Sequence, residues 1–239
     1  MDVTGAEARL EILAIMAKAP RAGFSKTRLI PALGPEGASQ VAAAMLADTI
    51  DLCRSVADAR PSTTVGICFA PDDGEEEIRA IAPGIRALRA QRGTTLGQRL
   101  TAAIEDFFAA GADAVVIVGA DSPTLPVPVF SEAFDRLERG ADVVIGPTRD
   151  GGSYLIGLRR PTTALCVAVP WSPSRVLAAT RERAAAKGLS VELLPEWYDI
   201  DEPADLDYFT TLVPSGSESA PATRSALAKL RRERPTDGA

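Results

Sequence analysis

The stretch "VVIVGADSPTLP", residues 115–126, is the part of the sequence that most constrains the fold. Its first four residues are β-branched and apolar, which is typical of a strand buried on both faces of a parallel sheet. Asp121 comes just after that strand, and Pro123 and Pro126 stiffen the exit. Ligands of open α/β sheets bind beyond the carboxyl ends of the strands, so Asp121 is a candidate ligand of Mg²⁺ or Mn²⁺. The alternative is that Asp121 caps the following turn.

Strands and helices alternate on both sides of this stretch, which predicts an α/β fold with a mostly parallel sheet and helices on both faces. A hairpin-like part near residues 153–169 makes the predicted sheet a mixed one. The predicted strands cover residues 11–17, 63–70, 84–91, 113–120, 141–147, 152–158, 164–170 and 189–195. The predicted helices cover residues 36–58, 75–82, 95–111, 127–140, 172–188 and 201–212.

One domain is predicted for residues 1–213, because no linker interrupts the alternation before its end. Residues 214–239 are polar and rich in proline and serine, so a disordered tail is predicted there. The segment "ALAKLRRER" within it could form a helix, but the composition favours a solvated tail.

The composition limits the classes of function that the chain can have. Its 239 residues carry a formal net charge of −6, which argues against a general binder of nucleic acid or membrane surfaces. A cytoplasmic protein is predicted, since the sequence shows neither a membrane span nor a signal peptide, and three scattered cysteines are typical of reduced core thiols. The chain contains no histidine, which excludes Ser-His-Asp and Cys-His catalysis and His-ligated zinc.

The stretch "MAKAPRAGFSKTRL", residues 16–29, concentrates positive charge in an acidic chain. Such a turn could hold a diphosphate or triphosphate through its side chains and its backbone amides. A P-loop is rejected, because Pro20 and Ser25 stand where that motif requires glycine. A solvated basic loop is an equally weighted alternative. The four cations of the stretch are Lys18, Arg21, Lys26 and Arg28.

A pair of acids in "WYDIDEPADL", residues 197–206, indicates a second half of the same site. Asp199 and Asp201 point the same way if the segment is extended, and two such carboxylates repel each other unless a cation lies between them. The alternative is that Asp201 caps the helix that follows. A further segment, "GPTRDGGSYLIGL", begins with an Asp150-Gly-Gly turn, for which a plain hairpin turn is the favoured interpretation.

Taken together and in this order, "MAKAP…G…KTRL", "LGQRL", "GADSPTLP", "GPTRDGGSYLIGL" and "DIDEPADL" resemble the bacterial GT-A-type nucleotide-diphospho-sugar transferase superfamily. More closely, they resemble a glycosyltransferase-like family within it that is related to 2-phospho-L-lactate guanylyltransferase. The resemblance covers about residues 11–210. It implies a Rossmann-like sheet that binds a nucleoside triphosphate or a nucleotide sugar at its carboxyl edge.

The resemblance also assigns roles to residues of this chain. It implies that Asp121, Asp199 and Asp201 hold the metal ion. Ser153 stands where the family pattern has tyrosine, which puts the acceptor preference in question. The residues that the resemblance places at the nucleotide are Arg21, Gly23, Lys26, Arg28, Gly97 and Arg99.

The predicted reaction is nucleotidyl transfer from a nucleoside triphosphate to a small acceptor that carries a phosphate or phosphonate, with release of pyrophosphate. Lys26, Asp121 and Asp150 are the predicted catalytic residues, and Mg²⁺ or Mn²⁺ is the predicted cofactor. Glycosyl transfer from a nucleotide sugar is the second hypothesis, with Asp150 as the base, and a nucleotide-binding protein without catalysis is the third. The predicted partners are therefore small molecules rather than nucleic acid or membrane, and a homodimer is an allowed assembly.

Overall fold

A single mixed sheet organises the computed structural model of the chain, which describes residues 9–162, 165, 173–213 and 219–233. Within these residues the sheet has seven strands in the order β3-β2-β1-β4-β6-β5-β7. The strands are β1 (Glu11–Lys18), β2 (Thr63–Ala70), β3 (Ala87–Ala90), β4 (Ala114–Gly119), β5 (Val143–Pro147), β6 (Ser153–Leu158) and β7 (Val191–Leu193). The helices are α1 (Ile30–Ala59), α2 (Glu75–Ile81), α3 (Leu96–Ala109), α4 (Val127–Glu138), α5 (Pro173–Ala186), α6 (Pro203–Leu212) and α7 (Pro221–Glu233).

The strand quoted first, β4, lies in the middle of the sheet. It pairs in parallel with β1 on one side and antiparallel with β6 on the other. β6 also pairs antiparallel with β5, and these two strands form a hairpin that ends at Leu158. The predicted mixed α/β sheet is therefore confirmed. The hairpin lies slightly earlier in the chain than predicted, and the strand predicted at 164–170 falls almost wholly outside the described residues.

Helices cover both faces of the sheet, as the alternation predicts. Phe130 and Phe134 of α4 pack with residues of α1 and α2 in one core. Ile104 and Phe107 of α3 pack with α5 in the core of the opposite face. All four of these side chains are almost completely buried. Apolar burial of this extent is the main source of stability in an α/β domain.

Helix α1 begins at Ile30, six residues before its predicted start. Gly34 and Pro35 are helix breakers in sequence, but here they form a kink within one merged helix. Gly34 has a φ of 73°, a conformation that glycine adopts without strain. The extra turn before the kink connects α1 to the basic loop that follows β1.

The prediction of a disordered tail is wrong for residues 221–233, which form α7. Leu227 and Leu230 of this helix pack with the outer face of α1, so α7 shares a core with the predicted domain. Asp48 of α1 accepts hydrogen bonds from the backbone amides of Ala222 and Thr223, at 2.9 and 2.8 Å. The carboxylate of another helix therefore caps α7, a long-range contact that local composition does not reveal. Residues 214–218 and 234–239 of the predicted tail lie outside the described residues.

Two other predictions concern helices that could span a membrane and the burial of the cysteine thiols. Within the described part of the chain, no helix combines the length and apolar character needed to cross a bilayer. Cys53 and Cys68 are buried, as predicted, and burial raises the pKa of the Cys68 thiol to about 12. Cys166 lies outside the described residues.

Candidate functional site

A cavity of about 490 Å³ opens at the carboxyl edge of the sheet, where β1 and β4 lie side by side. The strand order runs outward in opposite directions from this pair, and such a switch point is where open α/β sheets bind ligands. The basic loop, the end of β4, the start of α3 and the start of β6 all contribute to the walls. The polar lining residues are Lys18, Ser25, Lys26, Thr27, Arg28, Gln91, Arg99, Asp121, Ser153 and Asp201.

Lys26 joins three separate segments at the wall of this cavity. Its Nζ lies 2.7 Å from Asp121 Oδ1 and 3.4 Å from Asp201 Oδ1, and it donates a hydrogen bond to the Ile200 carbonyl at 2.5 Å. Its backbone is left-handed, with a φ of 47°, which is uncommon for a residue other than glycine. Burial alone would lower the pKa of Lys26, but the carboxylates of Asp121 and Asp201 outweigh it and raise the pKa. The ammonium therefore stays charged in a desolvated position.

Two other predicted cations of the loop, Arg28 and Arg21, have different partners. Arg28 is exposed and pairs with Asp201 at 2.7 Å, close to Lys26. Arg21 is not brought to the cavity, since it pairs with Asp73 at 2.8 Å and Glu77 at 2.5 Å. Asp73 follows β2 and Glu77 lies in the first turn of α2, and both carboxylates contact the guanidinium directly, whereas Arg21 is not part of the cavity lining. The predicted contact of Arg21 with a nucleotide therefore has no support in this geometry.

Gly23 is also outside the cavity lining. It supplies an exposed turn with a φ of 76°, in which glycine avoids the strain that other residues would meet. Its place in the structure is therefore explained by the shape of the loop. Gly97, a second predicted contact, is buried in the first turn of α3 and does not line the cavity.

The predicted acids are close together but have different partners. Asp201 is engaged by Lys26 and Arg28, as described above. Asp199 makes no salt bridge or side-chain hydrogen bond with another residue of the described ranges. Burial and the neighbouring carboxylates of Asp150 and Asp121 raise its pKa to about 6, against the partial opposition of Lys26. Within the described ranges, the nearby cation Lys26 therefore offsets the charge of Asp199 only in part.

Backbone pairing explains why these acids meet. The Ile200 amide donates a hydrogen bond of 2.8 Å to the Asp121 carbonyl, which joins the 199–201 segment to the end of β4. Earlier in the same segment, the Trp197 amide donates a hydrogen bond of 3.0 Å to the carbonyl of Pro147, the last residue of β5. The segment is therefore also joined to the end of β5. The segment before α6 therefore runs along two strand ends and carries Asp199 and Asp201 with it.

Asp150 closes the turn of the β5–β6 hairpin. Its Oδ1 accepts hydrogen bonds from Thr148 Oγ1 at 2.5 Å and from the Gly152 amide at 3.0 Å. A Cβ on Gly152 would lie only 2.8 Å from Thr148 Oγ1, so this turn requires glycine. The hairpin-turn interpretation is thus correct. The same turn also brings Asp150 close enough to Asp199 to affect its pKa.

The residues fit a divalent ion only in part. Within residues 9–162, 165, 173–213 and 219–233, no three acidic, histidine or cysteine side chains form a metal-binding group. Mg²⁺, however, usually takes one or two carboxylates and completes its coordination with phosphates and water. Asp121, which lines the cavity, and Asp199, which lies near Asp121 but outside the lining, provide hard oxygen ligands of this kind. Among the residues that the structure describes, the Asp199 carboxylate has no salt bridge. Asp201 fits less well, because two cations already compensate its charge.

Arg99 lines the cavity as the sequence predicts, and an unpredicted residue holds it there. Gln91 follows β3 and accepts a hydrogen bond from Arg99 Nη1 at 3.4 Å. Its amide nitrogen donates to the carbonyls of Ala17 and Cys68, at 3.0 and 2.8 Å. Gln91 is the last residue of the strand predicted at 84–91, so a polar side chain at the carboxyl end of a strand was the available signal, close to the one that identified Asp121.

The comparisons with known proteins agree with this geometry. A family described as an uncharacterized protein conserved in bacteria (DUF2064) matches residues 52–173, just over half of the chain. The chain belongs to the DUF2064 family. Its matched segment runs from within α1 through β2, β3, α3, β4 and the β5–β6 hairpin, and so includes Arg99, Asp121 and Asp150. No curated protein matches the sequence.

The solved structures that are similar to this DUF2064 protein include several transferases. A candidate nucleotide-diphospho-sugar transferase from Desulfovibrio desulfuricans G20 is 29% identical, with a TM-score of 0.80 over 93% of this chain and 97% of that one. A cytidylyltransferase from Leptospira borgpetersenii is 13% identical, with a TM-score of 0.55 over 95% and 98%. Glucosyl-3-phosphoglycerate synthase from Mycobacterium tuberculosis, solved with Mn²⁺ and UDP, is 13% identical, with a TM-score of 0.52 over 95% and 82%. The D. desulfuricans structure confirms the predicted superfamily and the general class of transferase, and all three structures confirm the predicted fold.

Proposed function

We propose that this DUF2064 protein is a metal-dependent nucleotidyltransferase that moves a nucleoside monophosphate from a nucleoside triphosphate to a small phosphate- or phosphonate-bearing acceptor, with release of pyrophosphate. The observation that carries the proposal is the position of Lys26. A buried, charged ammonium lies between Asp121 and Asp201 on the wall of a cavity at the switch point of the sheet. Cations and carboxylates on one wall suit a ligand with phosphates and an accompanying metal ion.

Lys26 can contact phosphate without leaving its place. Its three donors are directed to Asp121, the Ile200 carbonyl and Asp201, and the contact with Asp201 is the longest, at 3.4 Å. A phosphate oxygen needs to replace only that contact, while Arg28 continues to compensate Asp201. We assign Lys26 to charge neutralisation on the transferred or leaving phosphates, a role that dominates phosphoryl-type chemistry.

Asp121 and Asp199 are the carboxylates that would hold Mg²⁺ or Mn²⁺ in this proposal. A bound divalent ion supplies charge neutralisation and orientation of the phosphate oxygens. Asp201 would act through Lys26 and Arg28 rather than as the predicted third ligand. The chain's own residues position the nucleotide, because there is little covalent work for side chains in nucleotidyl transfer.

The absence of histidine suits an anionic acceptor. A phosphate or phosphonate oxygen is already ionised at neutral pH, so it needs no general base. The second candidate, glycosyl transfer from a nucleotide sugar, is favoured by the names of the D. desulfuricans and M. tuberculosis structures. A neutral hydroxyl acceptor would need a base, for which the candidate is Asp150, three residues before the cavity-lining Ser153 but not itself part of the lining.

Product analysis tests both candidates. The protein is incubated with Mg²⁺, each nucleoside triphosphate in turn and a pool of phosphorylated small molecules, and pyrophosphate is measured. The incubation is repeated with UDP- and GDP-sugars, and free nucleoside diphosphate is measured. Acceptor-dependent pyrophosphate supports nucleotidyl transfer, and nucleoside diphosphate supports glycosyl transfer. Nucleotide binding with neither product across the pool would overturn both and support a non-catalytic nucleotide-binding protein.

A further inference from the structure

The amide of Gln91 has a defined orientation at the end of the cavity nearest to β2. Its nitrogen donates to two backbone carbonyls, those of Ala17 and Cys68. Exchanging the nitrogen and the oxygen would place an acceptor against two acceptors, so the hydrogen-bond network excludes the flipped amide. Gln91 Oε1 therefore faces away from the strands and towards Arg99, from which it receives only one long hydrogen bond of 3.4 Å.

Arg99 is fixed beside that oxygen. Its Nε donates to the Gly93 carbonyl at 3.0 Å, and its Nη1 donates to Gln91 Oε1. A guanidinium has five N–H donors, and in the described part of the chain only these two are used. One of the three other donors is the second N–H of Nη1, the nitrogen that already donates to Gln91 Oε1. Arg99 and Gln91 both line the cavity, and so does the half-exposed side chain of Leu96, one turn earlier in α3.

This corner of the cavity combines fixed donors, one acceptor and an apolar surface. A phosphate group suits it poorly, because an acceptor oxygen at Gln91 repels phosphate oxygens. A flat, neutral group with both a carbonyl and an N–H on one edge suits it well. Its carbonyl would accept from Arg99, its N–H would donate to Gln91 Oε1, and its face would pack against Leu96.

We infer that Gln91 and Arg99 form a nucleobase subsite that selects a base with a carbonyl next to an N–H, and that Arg99 is its main specificity-determining residue. The inference rests on the proposed function, in which the cavity binds a nucleotide. Guanine and uracil carry that edge. Cytosine has a carbonyl beside a ring nitrogen that only accepts, and adenine has no carbonyl for the guanidinium. Adenine nucleotides are therefore the poorest ligands of this subsite.

Binding measurements separate base recognition from phosphate recognition. The intact protein with Mg²⁺ is titrated calorimetrically with GTP, UTP, CTP, ATP and inorganic tripolyphosphate. GTP or UTP should bind about tenfold or more tightly than ATP. Arg99→Ala should remove that difference in affinity. The same variant should bind tripolyphosphate with an affinity within about twofold of that of the unmodified protein, because the substitution leaves the phosphate site in place. Arg99→Lys should also remove the difference, because lysine keeps the charge and loses the planar pair of donors.

Arg92→Ala is the matched control, since Arg92 lies in the same connection but pairs with Asp106 outside the cavity lining. It should keep the full preference among the four bases. Equal losses for all four nucleotides and tripolyphosphate in both Arg99 variants would identify Arg99 as a phosphate ligand and overturn the inference. Equal binding of all four bases to the unmodified protein would overturn it too, yet leave the proposed function intact. Failure of every nucleotide and of tripolyphosphate to bind would contradict the proposed function itself.

Discussion

The Lys26 ammonium lies 2.7 Å from the Asp121 carboxylate, although 95 positions separate the two residues in the sequence. The pair joins the loop after β1 to the end of β4. Lys26 is almost fully buried and Asp121 is half exposed, so the carboxylate is the member that a solute can reach. The pair thus combines a structural role, closing two strand ends, with a charge arrangement suited to phosphate and metal.

Replacing Lys26 with methionine should separate the two roles. The change leaves the half-exposed Asp121 without its closest cation and the Ile200 carbonyl without its side-chain donor, which together should cost about 2 kcal/mol. Nucleotide affinity should fall at least tenfold, since a charge-assisted contact to phosphate is lost. Chemical denaturation measures the first effect and titration calorimetry the second.

The Lys26→Met/Asp121→Asn double variant is the informative comparison. Removing both charges abolishes the uncompensated carboxylate, so the free energy of unfolding should recover by part of the loss, while nucleotide affinity stays low. A single variant that binds nucleotide like the unmodified protein would show that Lys26 serves stability alone.

Asp121→Asn should abolish metal-dependent turnover, because an amide oxygen replaces a carboxylate as ligand for a hard cation. Asp113→Asn is a suitable control. Asp113 precedes the same strand at the opposite edge of the sheet, where it accepts a hydrogen bond from the Leu10 amide at 2.8 Å. Product formation is measured across Mg²⁺ concentrations for both variants. Undiminished activity in Asp121→Asn would contradict the metal role, whatever the control shows.

Asp199 and Asp201 lie two residues apart and should affect stability in opposite directions. The pKa of Asp199 is about 6 in the folded protein, against an ordinary value of 3.8, so the folded state binds more protons than the unfolded state between these values. Stability therefore falls as pH rises through this range. Without metal, Asp199→Asn should raise the melting temperature at pH 8 and change it little at pH 4.

Asp201→Asn provides the contrast. It removes ion pairs with Lys26 and Arg28, so it should lower the melting temperature at pH 8. Thermal unfolding of both variants in chelator, at pH 4, 6 and 8, measures the two effects. A lower melting temperature for Asp199→Asn at pH 8 would mean that Asp199 has a stabilising partner, contrary to its position here. Added Mg²⁺ should stabilise the unmodified protein more than Asp199→Asn, since only the former has both proposed ligands.

The sheet and the core of the site were predictable from the sequence because strand ends meet at one edge. The uninterrupted apolar run of β4 placed Asp121 at that edge, and the same rule placed Lys26 after β1. Charge alone did not predict partners. Arg21 has the same charge as Lys26, yet it pairs with Asp73 and Glu77, which lie more than fifty residues away in sequence. Which acid a cation meets depends on the course of the loops, and local sequence does not encode it.

Gln91 shows a second limit. Its role arises from two carbonyls on neighbouring strands and from a guanidinium on α3, and none of these contacts is visible in its own segment. The C-terminal helix shows a third limit. Its polar composition predicts solvation, but its few apolar residues lie on one side and meet α1. Composition averages over a helix, whereas packing depends on one face of it.

The attachment of α7 gives the last prediction. Both oxygens of the buried Asp48 carboxylate accept hydrogen bonds at the start of α7, including one from Thr223 Oγ1 at 2.6 Å. Asp48→Ala removes this cap and leaves the buried Thr223 amide and hydroxyl without an acceptor. The expected cost is about 2 kcal/mol in the free energy of unfolding, with faster amide exchange in residues 221–233.

Asp51→Ala serves as the control, because Asp51 is exposed on the same helix and its carboxylate pairs with the exposed Arg54 at 3.2 Å. It should change stability by less than about 0.5 kcal/mol. A chain ending at Val213 should also unfold more easily, since the face of α1 that includes Val41 would lose the cover of Leu227. Hydrogen exchange measured by mass spectrometry follows α7 and α1 separately. If exchange in α7 is equally fast in the unmodified protein and in Asp48→Ala, the cap does not hold this helix in solution.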